Sequence, residues 1–151
     1  MAPRFEEERS ALADAIGDFA MGGIHHVGST AVHGLDAKPI INILIGVESL
    51  DASRPAFDRL AQLGYVYAPY LADEMHWFCK PNPSHRTHHL HLAPVRGQRY
   101  RDELDLRDRL RANPGLAQRY ANLKRDLARR FEHDREGYTQ AKAAFIGEVL
   151  S

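Results

Sequence analysis

Apolar residues along the chain fall into distinct patterns, and each pattern predicts an element. Over residues 4–19, Phe5, Leu12, Ile16 and Phe19 share one helical stripe, and Glu6, Glu7 and Glu8 stand in the first turn, where negative charge favours the helix dipole. The Gly22-Gly23 pair ends that helix. "IHHV" at 24–27 predicts a short strand. "PIINILIGV" at 39–47 is apolar at successive positions, the pattern of a strand buried on both faces. Asp51 or Ser53 is placed to cap a helix through Leu63, with Phe57 and Leu60 inward and Gly64 as its stop. "YVYAP" (65–69), "HWFCK" (76–80) and, after a Pro-Asn-Pro loop, "THHLHLAPV" (87–95) read as further strands.

The last third is helical throughout. Residues 98–112 carry a helical pattern, and Asn113-Pro114 supplies an N-cap followed by proline at the first helical position. Leu116, Tyr120, Leu123, Leu127 and Phe131 then recur at helical spacing. Asp134 starts a final helix with Tyr138, Phe145 and Val149. A helix, then mixed strands and a helix, then a helical C-terminal third predict an α+β domain whose sheet is covered by helices.

Composition narrows the classes. The 151 residues suffice for one substantial core, so a single domain over 1–151 is expected. Twenty basic residues balance twenty acidic ones, which argues against a dedicated DNA, RNA or polybasic membrane surface. Cys79 stands alone, so no internal disulfide forms, and no apolar run approaches the roughly 20 residues of a membrane span. With no signal-like apolar segment at the N-terminus, a cytoplasmic location is expected. Composition leaves the oligomeric state open.

Candidate chemistry begins at Gly28-Ser29-Thr30. A strand running into such a turn and a short helix can present backbone N–H groups and two hydroxyls to phosphate, although the three residues alone also suit a simple helix cap. In "THHLHLA" the strand period places His89 and His91 on one face, apart from His88, Leu90 and Leu92. Two histidines so spaced can ligate a transition metal, or hydrogen-bond phosphate or carboxylate oxygens. Several cations lie on apolar stripes of the C-terminal helices: Arg107 between Leu104 and Leu110, Lys124 four after Tyr120, and Lys142 four after Tyr138. Each alone can snorkel outward or pair locally. Together, with Tyr138, they can converge on an anion from the helical side while Ser29 and Lys38 approach from the sheet. Asp73 or Glu74 is a further candidate acid.

The run "HVGSTAVHGLDAKPIINI" (26–43) resembles the GrpB family, a group of nucleotidyltransferase-like proteins, whose form is H-x-G-S-T-[SA]-V-P-G-L-x-A-K-P-I-I-D-I. The resemblance continues through "RTHHLHL" (86–92), "LRDRLRANP" (106–114), "YANLKRDLARRF" (120–131) and "YTQAKAAFI" (138–146). It implies a nucleotidyltransferase-like mixed sheet and a nucleotide or other phosphorylated ligand held at Gly28, Ser29 and Thr30. It also implies that His26, His89 and His91 line one pocket with Ser29 and Asn42. Magnesium is the ion expected if the chain is catalytic. In the wider superfamily, carboxylates two apart on the next strand grip that metal, because alternate strand residues project from one face. Here His33 replaces proline, Asn42 replaces the aspartate, and the same-face positions are Asn42 and Leu44, neither charged. The resemblance thus makes Asn42 a weak metal-ligand position and argues against metal-dependent nucleotidyl transfer. Two alternatives stay open: a non-catalytic binding module, and an enzyme using His89 and His91 as acid-base groups or metal ligands.

Overall fold

The computed structural model describes residues 2–28, 31 and 40–150. Its elements are α1 (Ala2–Ile16), a 3-10 turn (Gly17–Phe19), β1 (Gly23–Val27), β2 (Ile41–Val47), α2 (Ala56–Gln62) and β3 (Val66–Tyr67). There follow β4 (His76–Asn82), β5 (His85–Pro94), α3 (Gln98–Ala112), α4 (Pro114–Arg130) and α5 (Arg135–Leu150). The strands form one mixed five-stranded sheet in the order β1-β2-β5-β4-β3, with β2 and β5 parallel and the other pairs antiparallel. This is the α+β architecture expected, with its helical C-terminal third.

Strand alternation sorts the sheet into two faces. One face carries Ile41, Ile43, Ile45, Val47, Leu90, Leu92 and Phe78, all fully buried under Phe5, Leu12 and Ile16 of α1 and Leu60 of α2. Each such side chain contributes roughly 1.5–3 kcal/mol by leaving water, which makes this the main core. The opposite face packs Val27, Leu44, Trp77, Cys79 and Ala93 against Tyr100 and Leu104 of α3. A third cluster, Leu110, Ala117 and Tyr120 with Phe145 and Ile146, ties α3, α4 and α5 together.

Two glycines decide how α3 sits. A Cβ at Gly22 or Gly46 would come within 2.6 Å of the Tyr100 side chain. Only hydrogen at these positions lets the ring pack this close to the sheet, and its hydroxyl donates to the Gly22 carbonyl at 2.8 Å. Tyr100 thereby seats α3 at one end of the β1-β2-β5 face.

Two expectations need correction. The helix expected from Asp51 or Ser53 begins at Ala56, and its capping position, Pro55, has no side chain able to cap. Ser53 instead buries its hydroxyl and donates to the Leu50 carbonyl at 2.9 Å, closing a turn ahead of the helix. The strand expected over 65–69 is only Val66–Tyr67, because Tyr65 turns inward to donate its hydroxyl to Glu8 at 2.6 Å. The expected caps of the last two helices stand: Asn113 Oδ1 accepts from Leu116 N at 3.1 Å, and Asp134 Oδ1 from Gly137 N at 2.9 Å.

Candidate functional site

The α3 face of the sheet carries Asn42, His89 and His91. The parallel register places Asn42 opposite His89 and Leu44 opposite His91. Gly28, which follows β1 with φ +76, lies directly over Asn42: a Cβ there would meet the amide nitrogen at 2.8 Å. A positive φ and so close an approach both require glycine, so the Gly28 corner and residue 42 are in contact. Ser29, Thr30, His33 and Lys38 lie outside the described residues.

Each histidine of the pair has an oriented ring. His89 Nδ1 lies 3.1 Å from Asn42 Oδ1, while the Asn42 amide nitrogen faces the Ile40 carbonyl at 3.5 Å. His91 Nδ1 lies 2.9 and 3.1 Å from the two carboxylate oxygens of Glu103 on α3. Arg99 sits 3.8 Å from the same carboxylate and 3.4 Å from Glu74, so Glu74 binds α3 rather than approaching Asn42. Burial opposes the charge of Glu103, but the neighbouring His91, Arg99 and Lys142 outweigh it and hold the carboxyl below its usual range.

The electrostatics are one-sided. Burial, His91, Arg86, Lys142 and Lys124 push the His89 pKa down to about 4, so the ring is neutral at pH 7. Arg86 also lies over the Trp77 ring, 5.2 Å from its centre, and Trp77 packs on His89 at 4.9 Å. Lys124 lies 5.5 Å over the Tyr120 ring. Lys142, half-buried on α5, has no hydrogen-bond or ion-pair partner among the described residues. Tyr138 lies one turn before it, also half-buried. Of the C-terminal cations, Lys124 and Lys142 are those whose charge reaches His89. Arg107 belongs to the Gly28 end: it pairs with Asp108 at 2.9 Å, and its charge acts on His26 and Arg111. Arg111 Nε donates to the Ala31 carbonyl at 2.9 Å, tying α3 to the segment after Gly28.

His26 is not part of this grouping. Its register partner is Ile43, which puts the ring on the α1 face, stacked on Phe5 at 4.5 Å and nearly parallel to it. Burial there, with Arg111 and Arg107 near, lowers its pKa to about 4.

Glu103 and Arg86 escaped the sequence reading. Glu103 stands between Tyr100 and Arg107 on the stripe that turns α3 toward the sheet, so the argument that singled out Arg107 applies equally to it. Arg86 carries no such signal, because it precedes the alternating part of β5.

The donor set does not suit magnesium. The two same-face positions of β2 are an amide and a leucine, and a hard divalent ion with few protein ligands needs carboxylates. Imidazoles fixed through Nδ1 do suit transition metals. Among the described residues, however, no three His, Cys, Asp or Glu side chains come together to hold an ion.

A family model described as "GrpB protein" matches residues 2–151. The "Glutamate-rich protein GrpB" of Alkalihalophilus pseudofirmus is 36% identical over 152 residues, spanning 97% of this chain and 87% of that one. A "UPF0157 protein" of Pseudomonas aeruginosa is 38% identical over 151 residues, and there the match covers 97% of this chain but 61% of the relative. The crystal structure of the conserved protein GrpB from Enterococcus faecalis matches with a TM-score of 0.83 at 32% identity, covering 98% of this chain and 88% of that one. No helix among the described residues is long and apolar enough to cross a membrane.

Proposed function

Since the chain belongs to the GrpB family, we propose that it binds a nucleotide or another phosphorylated small molecule between the Asn42-His89-His91 face of the sheet and the C-terminal helices. One observation carries this reading: Arg86, Lys124 and Lys142 all act on a half-buried, neutral His89. Beside them, Glu103 is the carboxylate of the grouping, and it is already engaged by His91 and Arg99. Lys142, half-buried and without a hydrogen-bond or ion-pair partner among the described residues, gains one from a phosphate.

In this reading Gly28, Ser29 and Thr30 hold the phosphate, while Lys38, Arg107, Lys124 and Lys142 offset its charge and Tyr138 flanks it. His89 and His91 orient the bound molecule. Asn42 stands where the superfamily's metal-binding aspartate would stand, so magnesium-dependent nucleotidyl transfer is not the expected activity of this chain. Its activity is expected to be binding, without turnover of nucleoside triphosphates in magnesium or manganese. An Asn42→Asp variant tests the assignment: it should gain magnesium affinity together with metal-dependent transfer. A variant that changes neither removes Asn42 from the site.

A second reading, an enzyme of other chemistry, is favoured by the His91-Glu103 contact. A carboxylate holding Nδ1–H leaves Nε2 free to take a proton from substrate. Here the expected signature is a reaction without metal that both His91→Gln and Glu103→Gln depress, Glu103→Gln also shifting its pH profile.

A further inference from the structure

The hydrogen-bond partners of the two histidines fix more than ring orientation. A carboxylate only accepts, so His91 Nδ1, which faces both oxygens of Glu103 at 2.9 and 3.1 Å, must carry the proton. At His89 the same logic runs through an amide. The Ile40 carbonyl can only accept, so the Asn42 nitrogen turns toward it and the Asn42 oxygen toward His89. His89 Nδ1 therefore donates. A neutral imidazole protonated at Nδ1 has a lone pair at Nε2.

His89 Nε2 is buried and without a hydrogen-bond partner among the described residues. A buried acceptor left unpaired is costly, and native structures rarely keep one without a use. Its neighbours do not donate to it: Arg86 and Lys142 act on the ring by charge, and Trp77 packs its ring on it at 4.9 Å. A fully ionised phosphate cannot help either, because its oxygens are themselves acceptors.

We infer that the ligand presents a hydroxyl group to Nε2 of His89, so that the site takes a hydroxyl-bearing phosphate ester in preference to a bare phosphate. This rests on the anion-binding reading above and deepens it: the lysines recognise the charge, and the His89 imidazole recognises a donor attached to the same molecule. The division of labour gives selectivity, since a site with buried acceptors rejects analogues that lack the matching donors.

The inference separates into two measurements on the full chain. Long-range 1H–15N correlation spectra of the histidine side chains at pH 7 should find His89 protonated at Nδ1 and bare at Nε2. A proton at Nε2 of His89 overturns the inference. Calorimetric titrations should then compare ribose 5-phosphate with methyl phosphate, the same ester without sugar hydroxyls. Ribose 5-phosphate is expected to bind at least tenfold more tightly, and that preference should collapse in His89→Phe. Equal binding of the two probes overturns the inference and leaves the anion site intact, whereas binding of neither overturns the anion site itself.

Discussion

The two faces of the β4-β5 pair use the same kinds of residue to opposite ends. On the α1 face, Glu8 accepts from Tyr65 at 2.6 Å and from Lys80 at 2.7 Å, with His88 3.7 Å from its other oxygen. Burial opposes its charge, but the bonds from Lys80 and Tyr65 outweigh that and hold the carboxyl below its ordinary value, while burial and Glu8 together raise the Tyr65 hydroxyl. One carboxylate answers one ammonium, and the cluster closes on itself. One residue further along β5, the chain turns over to the α3 face. There His89 meets an amide instead of an acid, and Lys142 has no hydrogen-bond or ion-pair partner among the described residues. The lesson is that a buried charge answered within the fold serves stability, and one left unanswered marks a place for something else.

Breaking the compensated side should have the largest effect. Glu8→Ala leaves Lys80 and Tyr65 buried without their acceptor and should cost about 3–5 kcal/mol in urea unfolding. A loss below 1 kcal/mol would mean that the cluster is solvated and the contrast between faces is false.

Acid sharpens the comparison next, because each face holds a histidine kept neutral. His26 and His89 both titrate near pH 4 when folded, against 6.5 for a free imidazole. Folded values below unfolded ones mean that the unfolded chain binds more protons in this window. Their contribution is thus complete above pH 6.5 and disappears as the pH falls toward 4, on the order of 2–3 kcal/mol for each. Unfolding free energies across pH 4–7 should fall with acid, and His89→Gln should flatten the slope. An unchanged slope in that variant would place His89 in contact with water.

The seat of α3 comes third. Gly46→Ala drives a methyl into Tyr100 and should destabilise by about 1–3 kcal/mol. Tyr100→Leu should recover part of that loss in the double variant, which a purely local strand effect would not allow. Smallest of all, Lys142→Ala should change stability by no more than about 0.5 kcal/mol, because it makes no hydrogen bond or ion pair among the described residues.

Much of this arrangement could be read from residue order. The α3 bounds, the Asn113 and Asp134 caps, and the doubly buried β2 follow from spacing and side-chain chemistry that act within one element. So does the shared face of His89 and His91, since alternation is a local property of a strand. What escaped depends on contacts between elements. His26 lies on the α1 face because β1 pairs with β2 so that it meets Ile43, and no pattern inside "IHHV" encodes that register. Tyr65 looked like strand because its partner, Glu8, lies 57 residues earlier. Glu103 was in principle visible as a carboxylate on an inward stripe. Its role became evident only when α3 was laid across β5.

The central claim is that the α3 face holds an anion through protein cations and without metal. Calorimetric titration of ATP in the presence of EDTA, on the unaltered chain and on Lys142→Ala, tests it most directly. The account predicts measurable binding to the former, weakened at least tenfold in the latter with its unfolding curve unchanged. ATP binding that needs added magnesium, or that survives intact in Lys142→Ala, would contradict it.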